Sequence, residues 1–316
     1  MSTERFKQLR IVFMGTPEFA VASLGALVKA GCNIVCVITA PDKPAGRGMQ
    51  LQQSAVKKYA VENNLTVLQP EKLKNAEFLD GLKKIKADLQ IVVAFRMLPE
   101  AVWNMPIMGT VNLHGSLLPQ YRGAAPINWA VINGEKKTGV TTFKLKHEID
   151  TGDVLLQESF DINENDTAGD VHDKMKEIGA QLLVSTIKGL ADGTLAELPQ
   201  SEIANPKSEI IHHAPKIFTE TCKIDFTKSV AEVHNLIRGL SPFPGAYIIL
   251  NGKMLKIYKA IREDDIKLSG ALYETDGKTF LKFACADGCI SVKELQLEGK
   301  KKINIADFLR GYRFTV

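Results

Sequence analysis

The chain has 316 residues, 45% of them apolar and 24% charged, which exceeds what one hydrophobic core usually serves and predicts two soluble folded domains. No apolar run approaches the roughly twenty residues of a membrane span, and MSTERFKQLR at the start lacks an apolar signal core, so neither is expected and a cytoplasmic location is. The net charge of +4 is uneven, since 18 of the 40 Lys+Arg but only 13 of the 36 Asp+Glu lie from residue 207 onward, leaving a basic last third that suits either an acidic partner or plain solvation.

In chain order, residues 10–14 (RIVFM) form a β-rich run, and residues 19–30 read as a helix with Thr16 as N-cap and Pro17 at the first helical position. Residues 34–39 are a second strand, completing a βαβ unit. A dinucleotide site is the obvious rival reading for such a unit. It loses its main support because the first turn reads G-T-P-E-F-A, with Pro17 where a second glycine would meet a pyrophosphate. Residues 41–58 mix charges with Pro44, Gly46 and Gly48 and read as a loop. A short strand is expected at 67–70, an amphipathic helix at 76–85, and a strand covered on both faces at 89–95 (LQIVVAF).

Residues 109–126, GTVNLHGSLLPQYRGAAP, carry the first chemistry. Asn112 and His114 straddle Leu113, so on a strand both point to one face. An amide donor beside an imidazole suits the oxyanion of a tetrahedral intermediate, and Asp150, in the IDTGD turn, stands ready to orient or charge that imidazole. By itself an N-x-H pair is more often a structural hydrogen-bonded pair. Here it ends a strand and precedes a Gly/Pro-rich loop, on the side where open α/β sheets place ligands. His147 and Asp153 read as a surface residue and a turn residue.

Beyond the site, 125–132 reads as a helix, 140–145 and 154–160 as strands, and 167–191 as a long helix with core residues at helical spacing. Residues 203–214 read as a linker, with His212 and His213 exposed. A helix over 229–239 then precedes short strands at 245–250, 254–260, 278–285 and 289–297, the first two joined by Asn251-Gly252, with a further helix at 303–309. Such a pattern suits a small antiparallel barrel of the oligonucleotide-binding type. The five cysteines form no CxxC pair and read as reduced thiols, and no metal is expected.

NLHGSLLPQYRGAAPI followed by IDTGDVLLQ, together with FMGTPEFA at 13–20 and PDKPAGRG at 41–48, resembles the methionyl-tRNA formyltransferase family. The match is specific over the first two hundred residues or so and compatible beyond. The resemblance maps the family's catalytic Asn, His and Asp onto Asn112, His114 and Asp150. It implies 10-formyltetrahydrofolate as formyl donor, lined by Ser116, Leu117, Leu118 and Pro119, and methionyl initiator tRNA as acceptor. Loop 41–48 would help hold the acceptor arm, with Arg47, flanked by glycines, touching a phosphate or base. The sequence departs from the family at 95–99, which lacks a Gly after the aromatic and is one residue short, and at Glu148, where Gly is usual.

The fold expected is therefore α/β: a doubly wound, mostly parallel sheet of formyltransferase type over 1–205, a linker at 206–215, and a C-terminal small β-barrel, OB-like, over 216–316 that assists tRNA binding. A monomer is expected. The rivals are a formyltransferase for an amino sugar nucleotide or a glycinamide ribonucleotide, and, from another class, a non-catalytic RNA-binding protein or a nicotinamide oxidoreductase. The intact Asn112, His114 and Asp150 speak against the non-catalytic reading, and Pro17 against the nicotinamide one.

Overall fold

The computed structural model describes residues 4–45, 50–203, 210–266, 268 and 272–312. The chain divides into two compact units: Met1–Arg122 with Gly139–Ser159 and Asp173–His213, and Gly123–Thr138 with Phe160–His172 and Ala214–Val316.

In the first unit, β1 (Ile11–Gly15) is buried at every residue, as its unbroken apolar run requires. It is followed by α1 (Glu18–Lys29) and β2 (Ile34–Ile38). The antiparallel pair β3 (Lys43–Ala45) and β4 (Gln50–Gln52) precedes α2 (Ala55–Glu62), β5 (Val67–Leu68) and α3 (Ala76–Ile85). Then come β6 (Leu89–Val93), α4 (Glu100–Trp103), β7 (Thr110–His114), β8 (Arg122–Gly123) and, in the second unit, α5 (Pro126–Ile132). The strands β9 (Lys137–Lys144) and β10 (Val154–Asp161) lead to α6 (Ala168–Asp192), α7 (Gln200–Ile203) and β11 (His213–Ala214), which pairs with β8.

The seven-stranded sheet runs β10-β9-β7-β6-β1-β2-β5, parallel from β7 to β5 and antiparallel where β9 meets β7. From β1 the chain steps outward through β2 to β5, and from β6 it steps the other way to β7. The order therefore reverses between β1 and β6, which makes the expected doubly wound sheet with its ligand crevice at the carboxyl ends of those strands. Gly15, Val93 and Leu113 stand in one row across β1, β6 and β7, so His114 projects one residue past the level where its neighbours end.

Two local readings change. Pro17, not Thr16, occupies the N-cap of α1, and no side chain caps that helix; the Thr16 carbonyl instead accepts the N–H of Val56 at the start of α2. The stretch 41–58 is not all loop, because Ser54 Oγ accepts the Lys57 N–H and starts α2 inside it. The helix expected at 76–85 keeps those bounds, capped by Asn75.

The second unit holds α8 (Val230–Gly239), opened by a capping box between Ser229 and Glu232. Its strands are β12 (Ala246–Leu250), β13 (Lys253–Asp264), β14 (Tyr273–Thr275), β15 (Leu281–Ala284), β16 (Gly288–Leu297) and β17 (Ile303–Asn304), followed by α9 (Ile305–Gly311). Asn251 and Gly252, at φ of +50° and +74°, make the tight turn between β12 and β13. Register shifts near Lys259 bend β13 against β16, and β16 gives its other edge first to β15 and then to β17. The antiparallel sheet curls as a half-barrel around Ile237, Ile257, Phe283, Ile290 and Leu295, in the order β12-β13-β16-β15-β14. Among the described residues no helix is long and apolar enough to cross a membrane.

Candidate active site

The site grows from the end of β7. Asn112 pairs in the ladder with Val92 on one side and Phe143 on the other, and His114 pairs with Thr141. Partners opposite one another share a face, so Asn112 and His114 project together while Leu113 packs against Gly179 of α6. Among the described residues the Asn112 amide donates no hydrogen bond, and the residue is only half-buried. His114 is 7% exposed, its ring edge-on to Phe143 at 6.4 Å between centroids.

The imidazole is oriented from both ends. Nε2 lies 2.9 Å from the Tyr121 carbonyl oxygen, and because a carbonyl only accepts, Nε2 carries the proton. Nδ1 faces Asp150 Oδ2 at 3.8 Å, longer than a direct hydrogen bond. With Nε2 committed as a donor, the neutral ring turns the Nδ1 lone pair to the side where Asp150 stands, and His114 offers Nδ1–H to a reacting oxygen only when the ring carries a second proton.

Asp150 sits in a left-handed backbone conformation, φ +55°, that a non-glycine residue adopts only when its surroundings enforce it. Those surroundings are visible. Gly152 leaves no room for a side chain, since a Cβ there would lie 1.6 Å from the Lys144 carbonyl oxygen. The buried Gln200 donates from Nε2 to both Asp150 O and Gly152 O, each at 2.8 Å. In turn its Oε1 accepts from Arg122 Nε at 3.0 Å and Nη2 at 2.6 Å. Neither Arg122 nor Gln200 was singled out by the sequence. The nearest signal was the motif QYRG, which contains Arg122, whereas Gln200 stands fifty residues past the turn it braces with no pattern to mark it.

The segment after His114 is held by its own backbone bonds. Thr141 Oγ1 donates to Ser116 O at 2.6 Å and accepts the Leu118 N–H at 3.1 Å, and Gln157 Nε2 donates to Leu118 O at 2.9 Å. Ser116 and Leu118 are buried, with Ser116 Oγ donating to Gln120 O and Leu118 packed on Phe143 and Val154. Pro119 is buried too, so Leu117 alone of these four is partly exposed. His147 is exposed and Asp153 pairs with Lys146 at 2.7 Å. His212 stacks on Tyr121, ring centroids 5.6 Å apart. Arg47 lies outside the described residues; five residues before it, Asp42 meets Lys57 at 2.5 Å and Gln69 at 2.8 Å, which draws the Asp42 carboxyl below its ordinary range. Among the described residues no cluster of three His, Cys, Asp or Glu could hold a metal ion.

Residues 9–187 match the family profile described as Formyl transferase, and residues 216–313 the one described as Formyl transferase, C-terminal domain. The chain is 51% identical over 315 residues to a methionyl-tRNA formyltransferase of Bacteroides fragilis, covering 98% of this chain and 97% of that one. It is 53% identical over 314 residues to one of Parabacteroides distasonis, covering 97% of each. An N-formyltransferase from Helicobacter canadensis, solved with folinic acid and dTDP-3-aminofucose, shares the fold with a TM-score of 0.66 at 22% identity, over 93% of this chain and 100% of that one.

Proposed function

The chain belongs to the methionyl-tRNA formyltransferases, and from that premise we propose that it moves the formyl group of 10-formyltetrahydrofolate onto the α-amino group of methionyl initiator tRNA. The observation that carries this reading is identity of about half over nearly the full length of both chains, C-terminal half included. A likeness confined to the sheet would leave the acceptor open.

The chemistry needs three things: a neutral amine, a polarised formyl carbonyl, and somewhere for a proton to go. A peptide α-amine titrates near ~8, so the neutral form is already plentiful at neutral pH and the enzyme's work lies in the other two. The amine nitrogen attacks the formyl carbon and the carbonyl becomes an oxyanion. The Asn112 amide, which donates to no described residue, meets that oxyanion, and His114 adds Nδ1–H when its ring carries a second proton. Asp150, beside the imidazole, takes the proton that the amine loses, directly or through a water. Collapse of the tetrahedral centre breaks the bond from the formyl carbon to the folate nitrogen, which takes up the proton that Asp150 received from the amine, and yields the formylated aminoacyl-tRNA. The backbone of 116–119, fixed by Thr141 and Gln157, lines the folate together with the side chain of Leu117.

The deciding experiment offers the protein 10-formyltetrahydrofolate with charged initiator tRNA, with an amino sugar nucleotide, or with glycinamide ribonucleotide, and measures formyl incorporation. Transfer to the tRNA is expected. Transfer to a small amine alone would overturn the acceptor, and transfer to none would overturn the reading altogether.

A further inference from the structure

We propose that Arg122 and Gln200 are positioning residues for formyl transfer, holding the Asp150 turn so that its carboxylate is presented to His114; the inference rests on the reading of Asp150 given above. The Gln200 amide acts on the backbone of the turn. Gln200 is 4% exposed and makes the four hydrogen bonds an amide can make, two given to the carbonyls of Asp150 and Gly152 and two accepted from Arg122. An arginine fork only donates, so Arg122 fixes which end of the amide is oxygen and thereby turns both N–H groups toward the turn.

The chain also ties the two partners of the site to consecutive residues. The Tyr121 carbonyl fixes the imidazole through Nε2, and the next side chain, Arg122, fixes the Asp150 backbone through Gln200. The 3.8 Å separation of Nδ1 and Oδ2 is thus referred to one dipeptide. A left-handed Asp150 released from its carbonyl bond would rotate toward an ordinary backbone conformation and carry its carboxylate off line. Misplacement by about 1 Å costs up to about a hundredfold in rate without any loss of binding.

The test uses the full chain carrying Gln200→Glu, which keeps the shape but offers no N–H to the carbonyls, and Arg122→Lys, which keeps the charge but loses the fork. Each is made alone and together with Asp150→Asn. The expected result is a kcat lowered by about ten- to a hundredfold for Gln200→Glu and less for Arg122→Lys, with KM for donor and tRNA within about twofold. In the Asp150→Asn background the same changes should cost under about threefold, because a residue acting through Asp150 has nothing left to position. Parental kcat in both single variants, or losses that multiply in full with that of Asp150→Asn, would overturn the proposal. If Gln200→Glu does not fold, Arg122→Lys decides by the same criteria. Asp150→Asn measured alone separates the two failures: parental turnover there removes the premise and the proposal with it.

Discussion

At Asn112 the side-chain amide donates to no described residue, so among the described residues nothing competes with a reacting oxygen for its N–H. Asn112→Ala should lower kcat by about a hundred- to a thousandfold, the usual cost of one oxyanion donor, while equilibrium folate binding changes little. Turnover within about threefold of parental in a folded variant would remove Asn112 from the oxyanion role. Asp150→Asn keeps the size of the side chain and removes its proton acceptor. Single-turnover formylation with both substrates bound should slow by about a hundredfold or more. A near-parental rate would send the search for the base to the exposed His147, three residues upstream.

The turn from Glu148 to Asp153 behaves as one element, braced on one side by Gln200 and on the other by contact of Gly152 with Lys144. No rotamer relieves a Cβ placed 1.6 Å from a backbone oxygen, so Gly152→Ala must push β9 and the turn apart. A stability loss on the order of 3 kcal/mol or more by denaturant titration is expected, with activity falling further than stability because the turn carries Asp150. In the second unit, α8 buries His234 one turn before Arg238. Burial first, and the neighbouring guanidinium second, hold the His234 pKa below its ordinary 6.5, so the folded state keeps the ring neutral. The sign follows: this contribution to stability is full above the unfolded value near 6.5, and is lost as pH falls through that value toward the depressed folded one. Between about pH 8 and pH 5.5 the urea midpoint of the parent should therefore fall more steeply than that of His234→Gln. Parallel curves would mean that other groups set the acid sensitivity.

For the whole molecule the question is how a large acceptor is held while a small donor reacts. Arg47 is the sequence's candidate for the acceptor arm and lies outside the described residues; nearby in sequence, Asp42 is held by Lys57 and Gln69. Arg47→Ala should raise KM for charged tRNA and lower kcat modestly, leaving folate affinity unchanged, because a poorly seated amine reacts slowly even when bound. Steady-state rates at two salt concentrations sort the contact. A lost phosphate contact makes the salt dependence shallower, whereas a lost base contact leaves the slope and relaxes discrimination among tRNAs. Parental kinetics and parental slope together would return tRNA binding to the C-terminal unit alone.

The sequence by itself determined the buried parallel strands and the two-residue spacing that matters most. Runs such as IVCVI and LQIVV announce buried parallel strands because both of their faces are covered, and Asn112-Leu113-His114 puts two polar groups on one face because a strand alternates with period two. Asn251-Gly252 was legible for the same reason: its physics is complete within four residues. What only the tertiary structure decided depends on partners far along the chain. Thr16 stands one residue outside the cap of α1, its carbonyl accepting the Val56 N–H, and Ser116, Leu118 and Pro119 turned inward because Thr141 and Gln157 hold their loop from a neighbouring hairpin. The left-handed Asp150 and its brace through Gln200 to Arg122 leave no periodic trace either. A hydrogen bond across fifty or seventy-eight residues is specified by where the sheet brings two segments together, and local pattern carries no information about that meeting.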